Sequence, residues 1–145
     1  MEKVKSTLFI VLIAFSFSYS QSVVGHIYIK TDADNLYGPV ITSNNISSSL
    51  LLNLTNSTNN YLMFRISNGN LVILNNQRKE LFPGNAAVNP NDEFRYFSIS
   101  LINKIIVDGR DIFTIVEIRN NNILTITNGN YTLEVSLPCP PVCPD

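Results

Sequence analysis

Cys139 and Cys143 are the only two cysteines of the chain, and both lie in a proline-rich tail, residues 138–145, that reads PCPPVCPD. In an exported protein two such cysteines pair with each other more often than they stay free. Four residues of polyproline helix span roughly 12 Å, beyond the limit of about 7 Å between bridged α-carbons. A Cys139–Cys143 disulfide therefore requires the tail to bend, as a cis proline allows. Intermolecular bridging is the competing use. A thioredoxin-type pair is disfavoured, because it needs two intervening residues and a helix N-terminus. Metal binding needs more ligands than His26, the single histidine, can add. No metal and no cofactor are expected.

The remaining candidates for chemistry are few. His26 falls inside a predicted strand, so neither a Ser-His-Asp nor a Cys-His arrangement has an evident base. Asp92 with Glu93, and Asp108 with Asp111, offer carboxylates that a glycosidase-like mechanism would need to bring together. Their settings argue for plainer roles, at the end of a polar linker and in a helix-ending turn. Asp32 and Asp34 suggest a calcium loop, but the alternating oxygen ligands, turn glycine and closing glutamate are missing. Gln77, Arg78, Lys79 and Glu80 form the one charged cluster on a strand edge. Such a cluster discourages edge-to-edge aggregation, and it is also the candidate rim for a ligand. No catalytic constellation emerges, and the chain reads as a non-enzyme.

Residues 1–20 combine Glu2, Lys3 and Lys5 with an apolar run over 8–17 and small residues at Ser18 and Ser20. This is the pattern of a secretory signal peptide cleaved after Ser20, and the run is too short to span a bilayer. A secreted or periplasmic location follows, with no later membrane span. The formal net charge of −1 is spread along the chain, so no nucleic-acid partner is expected. Four Asn-X-Ser/Thr triplets begin at Asn45, Asn53, Asn56 and Asn130, as chance also produces in so asparagine-rich a chain.

The elements that would position these groups follow from periodicity. Residues 23–30 alternate as a first strand, and 31–35 read as a loop. Residues 40–42 suggest a short strand, with Ser43, Asn44 and Asn45 as caps for a helix over 46–56. Residues 61–67, 71–74 and 79–82 read as strands joined by tight asparagine turns. After the linker 83–93, a strand at 94–98 leads into a helix built on Leu101, Ile102, Ile105 and Ile106. Ser98 or Ser100 would cap this helix and Gly109 would end it. Residues 112–137 then form a meander whose last strand runs from Tyr131 to Leu137, with Asn128-Gly129 as its turn.

A shift of about 52 residues lays Ile66 on Ile118, Asn68 on Asn120, Asn76 on Asn128 and Leu81 on Leu133. The fold class expected is α+β: antiparallel β-sheet, in meanders with tight Asn/Gly turns, and two short helices packed on one face. One domain, 21–137, would comprise two tandem strand-helix-meander halves, 21–82 and 94–137, joined by 83–93. With no catalytic constellation in view, the expected function is that of a small exported non-enzymatic module that binds a protein, glycan or envelope component. The alternative is a structural or surface-assembly subunit of the envelope, with a carboxylate hydrolase a distant third.

Overall fold

The computed structural model describes residues 22–144, so the proposed signal peptide lies outside the described residues. In chain order the strands are β1 (His26–Ile29), β2 (Val40–Ser47), β3 (Tyr61–Ser67), β4 (Asn70–Asn75), β5 (Glu80–Phe82), β6 (Phe94–Ser98), β7 (Phe113–Arg119), β8 (Ile123–Asn128), β9 (Tyr131–Glu134) and β10 (Leu137–Cys139). The helices are α1 (Lys30–Tyr37), α2 (Ser48–Thr55) and α3 (Ile99–Gly109). The mixed α+β class and the antiparallel pairing are as the periodicity predicts. The helices number three among the described residues rather than two.

Two five-stranded antiparallel sheets form, in the orders β1-β9-β8-β7-β2 and β10-β6-β3-β4-β5. The order strand, helix, meander occurs twice, as β2-α2-β3-β4-β5 and as β6-α3-β7-β8-β9, offset by about 52 residues. Each leading strand joins the other meander: β2 pairs with β7, and β6 pairs with β3. Helices α2 and α3 start directly from these strands without a turn and carry the chain across to the opposite sheet. The expected serine caps are absent. Instead Ser48 N–H donates to Ile112 O at 2.9 Å and Ile99 N–H to Asn60 O at 2.8 Å. Each donation meets the residue just before the first strand of a meander, which satisfies one of the helix's orphan N–H groups.

The apolar stripes of α2 and α3 share one core with the inner faces of both sheets. Leu51, Ile102, Ile105 and Ile106 meet Phe64 and Ile73 of one sheet and Val116, Leu124, Ile126 and Leu133 of the other. Helix α1 lies on the opposite face of the first sheet, so the helices do not all share one face. The local pattern of residues 31–35 reads as a loop because almost nothing in it is apolar. What holds α1 is tertiary: Ala33 is fully buried, and Asp34 reaches Arg119. A second apolar cluster, including Met63, Leu74, Phe94 and Tyr96, lies on the outer face of the second sheet. Ala86 and Val88 of segment 83–93 cover it.

Several boundaries differ from the periodic reading. β2 runs on to Ser47 because residues 42–47 all find partners on β7, leaving Ser48 to begin the helix. The last strand stops at Glu134; Val135 then takes φ 64°, and β10 crosses to pair with β6 in the other sheet. Asn68 and Gly69 both have positive φ, as their two-residue hairpin turn requires. In the later hairpin the loop residues are Gly129 and Asn130, while Asn128 still belongs to β8.

Gly109 does not end α3 in the left-handed region; Arg110, φ 58°, does. Gly109 is required by proximity, since a Cβ there would collide with the backbone carbonyl of Asn128. Gly109→Ala is therefore expected to lower stability by about 1–3 kcal/mol in urea unfolding, because the contact is with backbone that cannot swing away. Val135 is half exposed and β-branched, the least suitable type for positive φ. Val135→Asn should raise stability by about 1 kcal/mol in the same measurement.

Candidate functional site

Of the residues singled out for chemistry, Asp92, Glu93 and Asp108 are each committed to a separate ion pair. Asp92 is ion-paired to Arg65 at 2.6 Å, Glu93 to Arg95 at 3.0 Å, and Asp108 to Lys104 at 2.6 Å. Asp111 acts through its backbone, its N–H donating to Asn128 Oδ1 and its carbonyl accepting from Ser48 Oγ. His26 is exposed on β1 against the Tyr28 ring. Cys139 and Cys143 stand at disulfide distance, with Cα atoms 4.6 Å apart, in a tail whose Cys139–Pro140 and Pro140–Pro141 peptides are cis.

Of the proposed rim, Gln77 and Lys79 are exposed beside β5, the edge of the second sheet. Arg78 turns inward: its guanidinium donates to Cys139 O and Asp92 O and lies over the Phe94 ring. Glu80 accepts from the backbone N–H of Gly84 and Ala86, curling segment 83–93 back toward the sheet. Two of the four residues thus fasten loops, and two face solvent.

The densest polar cluster is one that motif spacing does not single out. Under α1, on the face of the first sheet opposite the core, Arg119 is fully buried and Glu117 nearly so. Arg119 donates to Asp34 Oδ1 at 2.7 Å, Gly38 O at 2.9 Å, Glu117 Oε2 at 3.0 Å and Thr125 Oγ1 at 3.1 Å. Glu117 Oε2 also accepts from Thr125 and Thr127, and the Thr127 hydroxyl bonds that of Thr132. The Arg119 guanidinium holds the Asp34 carboxyl below the usual aspartate range. The donors are so fully committed that the cluster works as a fastener for α1 rather than as a reactive centre. Its trace in the sequence is the pairing of Glu117 and Arg119 with Thr125 and Thr127, each two apart on adjacent strands.

No protein-family model, curated protein or solved structure matches this chain.

Among the described residues, clefts open between the sheets in two places. One of about 260 Å³ carries Arg65, Glu93 and Arg95 on its lip, where the two arginines are already paired with carboxylates. The other, about 470 Å³, is a groove between β2 and the strands β4 and β5. Four asparagines, Asn44, Asn45, Asn70 and Asn85, are among its lining residues, and Leu71, Val72, Phe82 and Pro83 add apolar ones. It contains no charged side chain. An asparagine carboxamide offers both donors and an acceptor, and two of the four are already engaged, Asn44 Nδ2 donating to Gly69 O at 3.0 Å and Asn70 Nδ2 to Asn68 O at 3.4 Å. Such a lining suits a neutral ligand with its own mixed donors and acceptors. Reading asparagine abundance as compositional bias hides these four positions.

At the margin of the buried cluster, desolvation raises the Glu134 carboxyl above the ordinary glutamate range, against the opposing donation from Val135 N–H. Burial, with Tyr28 and Glu134 beside it, raises the Tyr37 hydroxyl. A raised carboxyl favours folding while protonated, and that contribution is lost as pH rises from the ordinary glutamate value through the folded one. Glu134→Gln should thus gain stability relative to the parent at pH 7 and lose that advantage at pH 4. Urea unfolding of both proteins at the two pH values checks this.

Proposed function

We propose that the protein is a non-enzymatic binding module that works outside the cytoplasm, taking a protein, glycan or envelope component along the side of the sandwich bounded by β2 and β5. The observation that carries this reading is the uncharged groove of about 470 Å³ on that side, with four asparagines among its lining residues. The carboxylates considered for hydrolysis are engaged with basic side chains or turns, which leaves recognition as the chemistry best served. An extracytoplasmic setting is supported by the cysteine pair at disulfide distance and by the signal-like pattern of residues 1–20. Among the described residues no helix is long and apolar enough to cross a membrane. The recurring strand-helix-meander order supports an origin by duplication of one unit.

A second reading, a self-assembling surface subunit, is favoured by the length and neutrality of the β2 edge. For the binding reading, arrays of neutral oligosaccharides and peptides probed with the parent protein and with Asn44→Ala/Asn85→Ala provide the test. Ligands that the parent binds and the double variant holds roughly tenfold more weakly are expected. An array without any such ligand counts against the groove.

A further inference from the structure

Both sheets reach an edge on each side of the sandwich, and the two sides are finished differently. On one side β9 is covered by β1 and β6 by β10, in both cases antiparallel. The 52-residue offset relates β9 to β5 and β6 to β2. Those two related strands, on the other side, are outermost in their sheets. The molecule thus shows on its own strands what such edges accept, an added antiparallel strand.

The four outermost strands are not equally protected. β10 has three residues and contains Pro138. β5 has three, begins with Glu80 and is followed by Pro83. β1 has four and runs straight into α1. β2 has eight residues, Val-Ile-Thr-Ser-Asn-Asn-Ile-Ser, with neither a charge nor a proline among them. Natural edges are kept apart by shortness, charge, proline or a bulge. β2 has Pro39 just ahead of it and a bulge at Ile41, which together leave 42–47 in regular register without charge or proline and Ile41 66% exposed.

We infer that the open edge of β2 pairs antiparallel with the β2 of a second copy, joining two first sheets across a two-fold axis. The strand suits itself as partner. Antiparallel pairing about a two-fold sets it against its own sequence, and with no charge present no like charges are opposed. A foreign partner would more naturally be selected by complementary charge, of which β2 has none. This inference rests on the reading of the β2–β5 side as the interaction surface, and it names the partner of one strand there.

The test is sedimentation equilibrium and light scattering on the full secreted chain over micromolar to millimolar concentrations. Parallel samples carry Ser43→Lys or Ile41→Lys, both at exposed β2 positions that do not line the groove, and Val107→Lys on the exposed face of α3 as control. The expected result is a concentration-dependent dimer that each β2 variant weakens roughly tenfold or more and the control leaves intact. Amide exchange within 40–47 should slow as concentration rises. A protein that stays monomeric throughout overturns the inference. So does a dimer that both β2 variants leave unchanged, or one that disappears only on reduction. None of these results touches the groove, whose ligands are read separately by the arrays, so failure of either proposal can be told from failure of the other.

Discussion

A meander of three strands cannot complete a four-stranded sheet by itself, and this chain meets the need by exchange. β2 leaves its own following meander to pair with β7, and β6 likewise pairs with β3. The helices are consequences of that exchange: a strand in one sheet and the next strand in the other must be joined, and α2 and α3 are the joints. Because both start without a turn, their direction is set by the strands they follow. Their first N–H groups then find acceptors at Ile112 and Asn60, at the mouth of each meander. With two sheets each built from both parts of the chain, neither meander can keep its sheet without the other. The shared core, in which α2 and α3 contact each other as well as the sheets, expresses the same dependence in apolar surface.

The outer face of the first sheet is closed by a different device. Helix α1 is too polar to be held by apolar burial, with Ala33 its one buried residue. It is held by Arg119, whose guanidinium is enclosed between Asp34, the Gly38 carbonyl, Glu117 and Thr125. Burying a guanidinium is costly unless every donor is met, and breaking such a cluster by removing one partner typically costs about 3–5 kcal/mol. The Asp34 end of the cluster is partly exposed and screened, so its ion pair adds less than the Glu117 end. The threonines on β8 and β9 do the rest by meeting the carboxylate of Glu117 and each other. A polar web of this kind contributes little net energy per bond but admits one arrangement of α1 over the sheet.

Much of this was readable along the chain, and the parts that were not share a cause. Tyr61–Ser67 and the Ile99–Gly109 helix follow from local periodicity, which reports which face of an element is buried. Asn68-Gly69 announces its turn because few other residue pairs tolerate two positive φ angles. Local pattern does not report which strand lies alongside, so β2 and β6 gave no sign of their exchange. It also fails where tertiary contact overrides propensity, as in α1, and where a strand changes sheets without losing its alternation, as between Tyr131 and Leu137. The groove asparagines were invisible for another reason. They come from β2, β4 and the segment after β5, and only the stacking of one sheet edge over the other brings them together.

The two sides of the sandwich then differ in a way that the exchange itself does not require. Exchange produces four edges, related in pairs, and would leave all four bare. The chain on either side of the repeated order supplies β1 and β10, and both are used where β9 and β6 end their sheets. β10 is further tied down by Arg78, which bonds the Cys139 carbonyl from the far edge of the same sheet. Segment 83–93, which connects β5 to β6, is committed to the outer face of the second sheet through Ala86 and Val88. The β2 and β5 edges are thus left uncovered by the strands that close β9 and β6, and of these two it is β5 that is short, charged and followed by proline, while β2 is long and uncharged. A long neutral strand beside an uncharged groove is where those two facts meet, and a partner strand would satisfy the backbone groups that the fold itself leaves facing water.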